Sequence, residues 1–265
     1  AYHLAGEGME VGVITRVGCD PLGAETLARI GELGLPTEGV QRGREPTGTV
    51  QVTFPQPAEP HFEIVTPAAW DAIASEEALA YLAGRPFDLI FGTLAQRDER
   101  SRRTIRLLWE RAEQRYYDVN LRPPFTTREL VLDSLAVADL VKLNGEELEV
   151  VAEWAGVAGP SRNAVARQLM ARYNIAVLVV TEGADGAWLV AEGAIIEVPG
   201  HTVRVVDPVG AGDAFFAALL AGYRRGTPWP ETLALANRLG AYVAAHPGAT
   251  PPHPNAQQLK PYEDR

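Results

Sequence analysis

Late in the chain, Asp207-Pro208-Val209-Gly210-Ala211-Gly212-Asp213-Ala214-Phe215-Phe216-Ala217-Ala218-Leu219-Leu220 runs from a turn of small residues into an apolar helix. Gly210 and Gly212 admit backbone angles that other residues avoid. Their missing side chains also let an anion approach the amides. A helix beginning near Gly212 leaves its first N–H groups unpaired, at the positive end of its dipole. Such a turn can cradle a phosphate. Asp213 is the anomaly, because a carboxylate there repels an anion. It gains a purpose as a general base facing an attacking hydroxyl. It can also merely satisfy the helix N-terminus, and for an isolated Gly-Ala-Gly-Asp that is the stronger reading. Phe215 stands where a dinucleotide fingerprint has its third glycine, and no GxxxxGK[ST] loop is present.

Other polar residues follow apolar runs that read as strands. Asp118, Asn120 and Arg122 come just after one. Arg122 offers a planar fork to phosphate or sugar oxygens, or else a surface salt bridge. Lys142, Asn144 and Glu147 surround the end of another. By residue type alone Glu147 and Lys142 are solvated surface groups. Thr181, Gly183 and Gly186 follow a third, where ligands gather on parallel sheets, and where an ordinary glycine turn would also sit.

The elements that must position these residues alternate strand, loop and helix. Strand candidates are Val11–Thr15, Phe87–Phe91, Tyr116–Val119, Leu140–Leu143 and Val177–Thr181. Helical patterns cover Ser101–Glu113, Thr127–Ala136, Glu146–Trp154, Arg162–Tyr173 and Glu231–Ala245. This rhythm predicts an α/β fold with a mostly parallel sheet covered on both faces. Ala187–Ala191 and Ile195–Val198, separated by Glu192-Gly193-Ala194, predict a hairpin. Thr49–Phe54 and His61–Val65 flank the proline-rich turn Pro55–Pro60 and predict an antiparallel pair inserted over residues 46–66, a lid or a dimer contact. The proline-rich stretch Gly248–Pro254 predicts irregular backbone.

The chain has 265 residues, enough for one α/β domain spanning 1–265. Its opening, Ala1-Tyr2-His3-Leu4, reads as the end of a helix, so residues upstream are expected. Acids number 34 against 24 Lys and Arg, a net charge of -10 without a basic run, which speaks against a nucleic-acid binder. No apolar run reaches the ~18 residues of a membrane span. Cys19 is the single cysteine, so no internal disulfide can form, and the composition fits a reducing cytoplasmic setting. The five histidines are scattered, and no HExxH pattern appears, so they read as structural or surface residues.

Asp207–Leu220 resembles the second signature of the ribokinase-like (pfkB-type) carbohydrate kinases at every constrained position. Ala1, Gly8 and Gly18 fit the C-terminal part of the family's first signature. Similar stretches recur in order: Phe91-Gly92-Thr93-Leu94-Ala95, Asp118-Val119-Asn120-Leu121-Arg122-Pro123, Lys142-Leu143-Asn144-Gly145-Glu146-Glu147 and Thr181-Glu182-Gly183-Ala184-Asp185-Gly186. The resemblance implies a three-layer α/β/α fold with a small β lid. It implies phosphoryl transfer from Mg·ATP to a sugar hydroxyl. Asp213 would be the base, and the amides of Ala211, Gly212 and Asp213, in the turn that Gly210 opens, the anion hole. Asn144 and Glu147 would organise Mg²⁺ and phosphate. Lys142, Thr181, Gly183 and Gly186 would border the nucleotide, and Asn237 would line its adenine, with an interior polar cap or an exposed side chain as the plain alternatives. Asp118, Asn120 and Arg122 would meet the sugar. Asp207, the Val209 carbonyl and the carbonyl near Gly248 would hold K⁺.

Phe91–Ala95, Pro46–Val52 and Ala69-Trp70-Asp71 are most similar to the bacterial fructokinases, which implies fructose as acceptor and fructose 6-phosphate as product. A 2-keto-3-deoxygluconate kinase, or another ketose or keto-acid kinase, is the alternative, with Arg16, Arg97 or Arg122 as the cation for an acidic sugar. A catalytically silent sugar-binding regulator on the same fold is the non-enzyme alternative. A homodimer through the lid is the expected assembly.

Overall fold

The structure, a computed structural model, describes residues 1–56 and 59–260, with the side chains of residues 52–62 outside the described set. In chain order the elements are α1 (Tyr2–Gly6), β1 (Thr15–Gly18), α2 (Pro21–Glu32), β2 (Val40–Gly43), β3 (Val50–Gln56), β4 (Glu59–Ile64), α3 (Ser75–Leu82), β5 (Leu89–Gly92), α4 (Glu99–Trp109), β6 (Arg115–Asp118), α5 (Arg128–Leu135), β7 (Leu140–Asn144), α6 (Gly145–Ala155), α7 (Arg162–Tyr173), β8 (Val177–Thr181), β9 (Gly186–Ala191), β10 (Ala194–Pro199), α8 (Ala211–Arg225), α9 (Trp229–Ala244) and α10 (Ala256–Leu259). They form two compact units. One holds Ala1–Val11, Ile90–Thr93 and Gln114–Arg265, the other Gly12–Leu89 and Leu94–Glu113.

The first unit is built on a six-stranded sheet of order β10-β9-β8-β7-β6-β5. β6, β7 and β8 run parallel, and β9 and β10 fold back antiparallel. The strands read as continuous apolar runs because both faces are covered. Tyr116, Leu140, Val177, Val179 and Leu189 bury against α1, α8 and α9, with Phe216, Leu219, Leu233 and Leu239 in the same cluster. The alternate residues Tyr117, Val141, Leu178, Val180, Trp188 and Val190 are equally buried, and α6 and α7 pack on this side of β7, β8 and β9. Helix, sheet and helix thus make three layers. The hairpin turns on Glu192 and Gly193, both with positive φ (51° and 77°), as a right-twisted two-residue turn requires.

In the second unit β1 and β2 pair in parallel, Thr15 beside Val40. The expected strand Val11–Thr15 is therefore displaced toward its C-terminal end. Pairing decides the span: β2 begins at Val40, so the apolar Val11–Ile14 has no partner strand beside it. α2 starts at Asp20, whose carboxylate accepts the Gly23 amide at 2.7 Å, with Pro21 in the first turn. β3 and β4 pair antiparallel from Val50–Ile64 to Gln56–Glu59, so the strands run into the proline segment. Pro57 and Ala58 of the expected Pro55–Pro60 turn lie outside the described residues. Arg97 forms a two-pronged ion pair with Asp71 at 2.7 and 2.8 Å and donates to the Val65 carbonyl at 3.3 Å. That ties the segment leaving β4 to the turn before α4.

Among the described residues no helix is long and apolar enough to cross a membrane.

Candidate active site

Strand alternation brings the first two charged groups together. β6 and β7 pair with Tyr116 beside Leu140 and Asp118 beside Lys142. Residues two apart on a strand share a face. Asp118 and Lys142 therefore lie on the face that α8 covers, one step nearer the carboxyl ends of the strands. The Lys142 ammonium donates to Asp118 Oδ1 at 3.0 Å, with side chains only 10% and 15% exposed. On its other side Lys142 Nζ is 3.4 Å from where a Cβ on Gly212 would stand. Burial pushes the Asp118 carboxyl above the usual carboxylate range. Lys142 opposes that push, and the charges of Asp213 and Glu147 add to it.

The turn before α8 is held from behind. Asp207 accepts the Val209 amide at 3.0 Å on one oxygen and the Gly248 amide at 3.1 Å on the other. Asp207, Val209 and Gly248 are thereby brought together. Gly210 caps α8 with φ 85°, and a Cβ on it would stand 2.7–2.9 Å from atoms of Ala249, so only glycine fits. The Ala211 amide turns to the Pro208 carbonyl at 3.4 Å, and Ala214 bonds to Gly210 at 2.8 Å. The amides of Gly212 and Asp213 make no hydrogen bond among the described residues, and both residues are exposed. Of the three expected amides, that of Ala211 is turned away and those of Gly212 and Asp213 stand open. The Asp213 carboxylate caps nothing: Gly210 is the N-cap and no side-chain cap bond is made. The capping role that residue type suggested for Asp213 is absent here.

Asn144 and Glu147 cap α6 reciprocally. Asn144 Oδ1 accepts the Glu147 amide at 2.8 Å, and Glu147 Oε2 accepts the Asn144 amide at 2.9 Å. Glu147 Oε1 accepts the Leu121 amide at 2.8 Å. It is a buried group, not the solvated helix residue that composition suggests. Its hold on Leu121 fixes the loop where Asn120 adopts φ 42° and Arg122 stands exposed. The Arg122 guanidinium donates to the Leu121 carbonyl at 2.9 Å and has no ion pair among the described residues.

The remaining candidates divide. Thr181 ends β8 directly beside Asn144. Gly183 has φ 58° and open space where a Cβ would point. Gly186 is a packing position, since a Cβ would meet the Val198 carbonyl at 2.3 Å. Asn237, on α9, is buried and donates to the Val198 and Pro199 carbonyls, both at 3.2 Å. Its side chain is thus an interior polar link and not an exposed group.

At this end of the sheet Asp118 is within electrostatic reach of the Lys142 ammonium and of the carboxylates of Asp213 and Glu147. Among the described residues no three acidic, His or Cys side chains are close enough to cage a metal ion. Mg²⁺ usually keeps waters and takes phosphates as ligands beside one or two carboxylates, so this donor set suits it. The pairing of Asp118 with Lys142 is not marked by spacing in the chain. Only the parallel register, which places the two side by side, reveals it.

The fold and the sequence have counterparts. The chain is 30% identical over 285 residues to a fructokinase of Escherichia coli, covering 98% of this chain and 88% of that one. It is 29% identical over 259 residues to a fructokinase of Vibrio alginolyticus, covering 92% and 82%. A fructokinase from Xylella fastidiosa, solved with bound ATP, superposes with a TM-score of 0.87 at 24% identity, over 99% of this chain and 87% of that one. A fructokinase from Vibrio cholerae O395, solved with fructose, ADP and calcium ion bound, superposes with a TM-score of 0.84 at 23% identity, over 100% and 89%. These neighbours share the ribokinase-like three-layer fold. The model of the pfkB family carbohydrate kinases matches residues 1–256, almost the whole length. The chain therefore belongs to the pfkB family of carbohydrate kinases, phosphotransferases that act on a sugar hydroxyl.

Proposed function

We propose that the chain transfers the γ-phosphoryl group of Mg·ATP to a hydroxyl of fructose, giving fructose 6-phosphate and ADP. One observation carries the reading: Asp213 presents an exposed carboxylate with no hydrogen bond, beside two unpaired amides and the Lys142 ammonium. The sugar hydroxyl oxygen attacks the γ-phosphorus while the bond to the β-bridging oxygen breaks. The bond pair leaves with ADP, and the hydroxyl proton passes to Asp213. The amides of Gly212 and Asp213 donate to the charge on the transferred group, and Lys142 balances it from the sheet side. Mg²⁺, when bound, would neutralise phosphate charge, and Asp118, Asn144 and Glu147 would organise its waters. Thr181 and Gly183 border the nucleotide. A monovalent cation such as K⁺ beside Asp207, Val209 and Gly248 would stiffen the same turn.

A neutral acceptor is favoured by where the arginines are spent. Arg97 is buried in its ion pair with Asp71, and Arg16 stands between Glu45 at 3.8 Å and Glu77 at 3.7 Å. An acidic acceptor keeps one cation, Arg122, and that is the specific observation in favour of a keto-acid kinase. The four curated and solved relatives described above all carry the name fructokinase.

The test is ADP release by the full-length protein with Mg·ATP and a panel of fructose, ribose, 2-keto-3-deoxygluconate and adenosine, with and without potassium. Turnover on fructose that falls at least ~10²-fold in Asp213→Asn is expected. Turnover on 2-keto-3-deoxygluconate alone moves the acceptor to the acidic class. Absence of turnover on every member, with ATP still bound, overturns fructose as acceptor and leaves an acceptor outside the panel or the silent regulator.

A further inference from the structure

We propose that His3 is a positioning residue for the Gly210–Asp213 turn, acting through the carbonyl of Ala249. His3 lies on α1, more than two hundred residues before that turn, and is buried to 5% exposure. Its Nε2 is 2.9 Å from the Ala249 oxygen. A Cβ on Gly210 would stand 2.9 Å from the same oxygen and 2.8 Å from the Ala249 Cα, so the bare backbone of Gly210 lies against Ala249. With no side chain between them, a shift of Ala249 is felt at the Gly210 backbone.

The segment behind the turn has no ladder of its own. Between α9 and α10 the chain forms neither helix nor strand, so its backbone groups need partners from elsewhere. The Gly248 amide goes to Asp207, the Pro251 carbonyl to the Tyr2 hydroxyl at 3.0 Å, and the Pro252 carbonyl to the Tyr242 hydroxyl at 3.1 Å. Ala249 is the residue of this segment that touches Gly210, and His3 is its side-chain donor. His3 Nδ1 has no partner among the described residues, which assigns the proton to Nε2 and makes the ring a neutral donor. Burial also disfavours its charged form. The charged or titratable side chains facing it are Asp213 and His253.

The inference rests on the reading of the Asp213 turn as the phosphoryl-transfer site. Full-length wild type, His3→Phe, His3→Gln and Asp213→Asn are compared by steady-state kinetics and thermal melting. His3→Phe keeps a ring against Tyr2 and removes the donor, and His3→Gln restores a donor at similar reach. The expected result is a fall of about 10- to 100-fold in kcat for His3→Phe, with little change in the KM for sugar, and recovery of most of it in His3→Gln. Wild-type turnover by His3→Phe beside an inactive Asp213→Asn overturns the role of His3 and leaves the site standing. Equal kinetic losses in both His3 variants, tracking equal losses of Tm, also overturn it by reducing His3 to packing. Normal turnover by Asp213→Asn removes the site reading and this inference together.

Discussion

Lys142 and Asp118 hold each other in a place where neither is at ease alone. An ammonium and a carboxylate this buried are stable only as a pair, and removing one partner leaves the other uncompensated. The native carboxyl of Asp118 lies above its usual range, chiefly through burial. A raised carboxyl favours the fold at low pH, and that favour is lost as pH climbs through the native value. In Lys142→Met the opposing cation is gone, so the native value rises further and the cost at neutral pH grows. Urea denaturation should show Lys142→Met less stable by about 3 kcal/mol at pH 7.5, with the gap narrowing at pH 5 as Asp118 protonates. A gap of the same size at both pH values would show that the fold of the variant takes up no proton on Asp118 over this range, against the raised carboxyl. The same substitution removes the cation beside Gly212, so ATP turnover should fall with it.

The first turn of α8 separates stability from turnover. Gly212 has no positive φ, and a Cβ on it meets only Lys142 Nζ, at the edge of ordinary contact. Alanine there should cost the fold nothing and, by helix propensity, favour it by up to about 0.5–1 kcal/mol. Yet the methyl would occupy the approach to the two open amides. Gly212→Ala should therefore melt no lower than wild type while losing at least ~10-fold in kcat/KM. A melting loss with unimpaired turnover would deny the cradle. Gly210→Ala should behave differently, since φ 85° and Ala249 leave no room, and should lose stability as well. The chain itself shows much of this element scale. Val177–Thr181 and Arg162–Tyr173 are readable to the residue, because a buried parallel strand is an unbroken apolar run and Ser161 caps the helix start. Asp20-Pro21 carries an equally plain helix-start signal, which a reading led by the apolar strands passes over. β1 is misplaced from sequence because pairing with β2, not hydrophobicity, sets its span. At the site, Gly210–Asp213 is legible from residue type. Glu147 reaching Leu121, and His3 reaching Ala249, are not, because each joins a side chain to a backbone group of another loop that no spacing encodes.

Across the whole molecule, acid should act in two stages. His3 and His201 are both lowered from the usual 6.5, chiefly by burial. A histidine lowered in the fold is protonated first in the unfolded chain, so stability drains away as pH falls below about 6.5. Glu7 is lowered from the usual 4.5, first by its hydrogen bond with His253 and then by the charges of His253 and Arg225, against the cost of burial. Asp20, Glu45 and Asp98 are lowered too, through hydrogen bonds that lead with Thr47 for Asp20 and Arg100 for Asp98. Lowered carboxylates stabilise above their unfolded values, and that contribution is lost as pH falls through the native ones. Asp118 runs the other way and offsets part of the second stage. Denaturation midpoints followed from pH 8 to pH 4 should decline gently below pH 6.5 and more steeply below pH 4.5. His3→Gln should flatten the first decline, since it has no proton to take up, while leaving the second in place. A midpoint level from pH 7.5 to 5.5 in wild type would mean that neither buried imidazole resists its proton. The Nε2–H bond to Ala249 would then have to survive in a charged ring whose second N–H finds no acceptor. The burial of His3 makes that the costlier state, so the two-stage decline is the expected outcome.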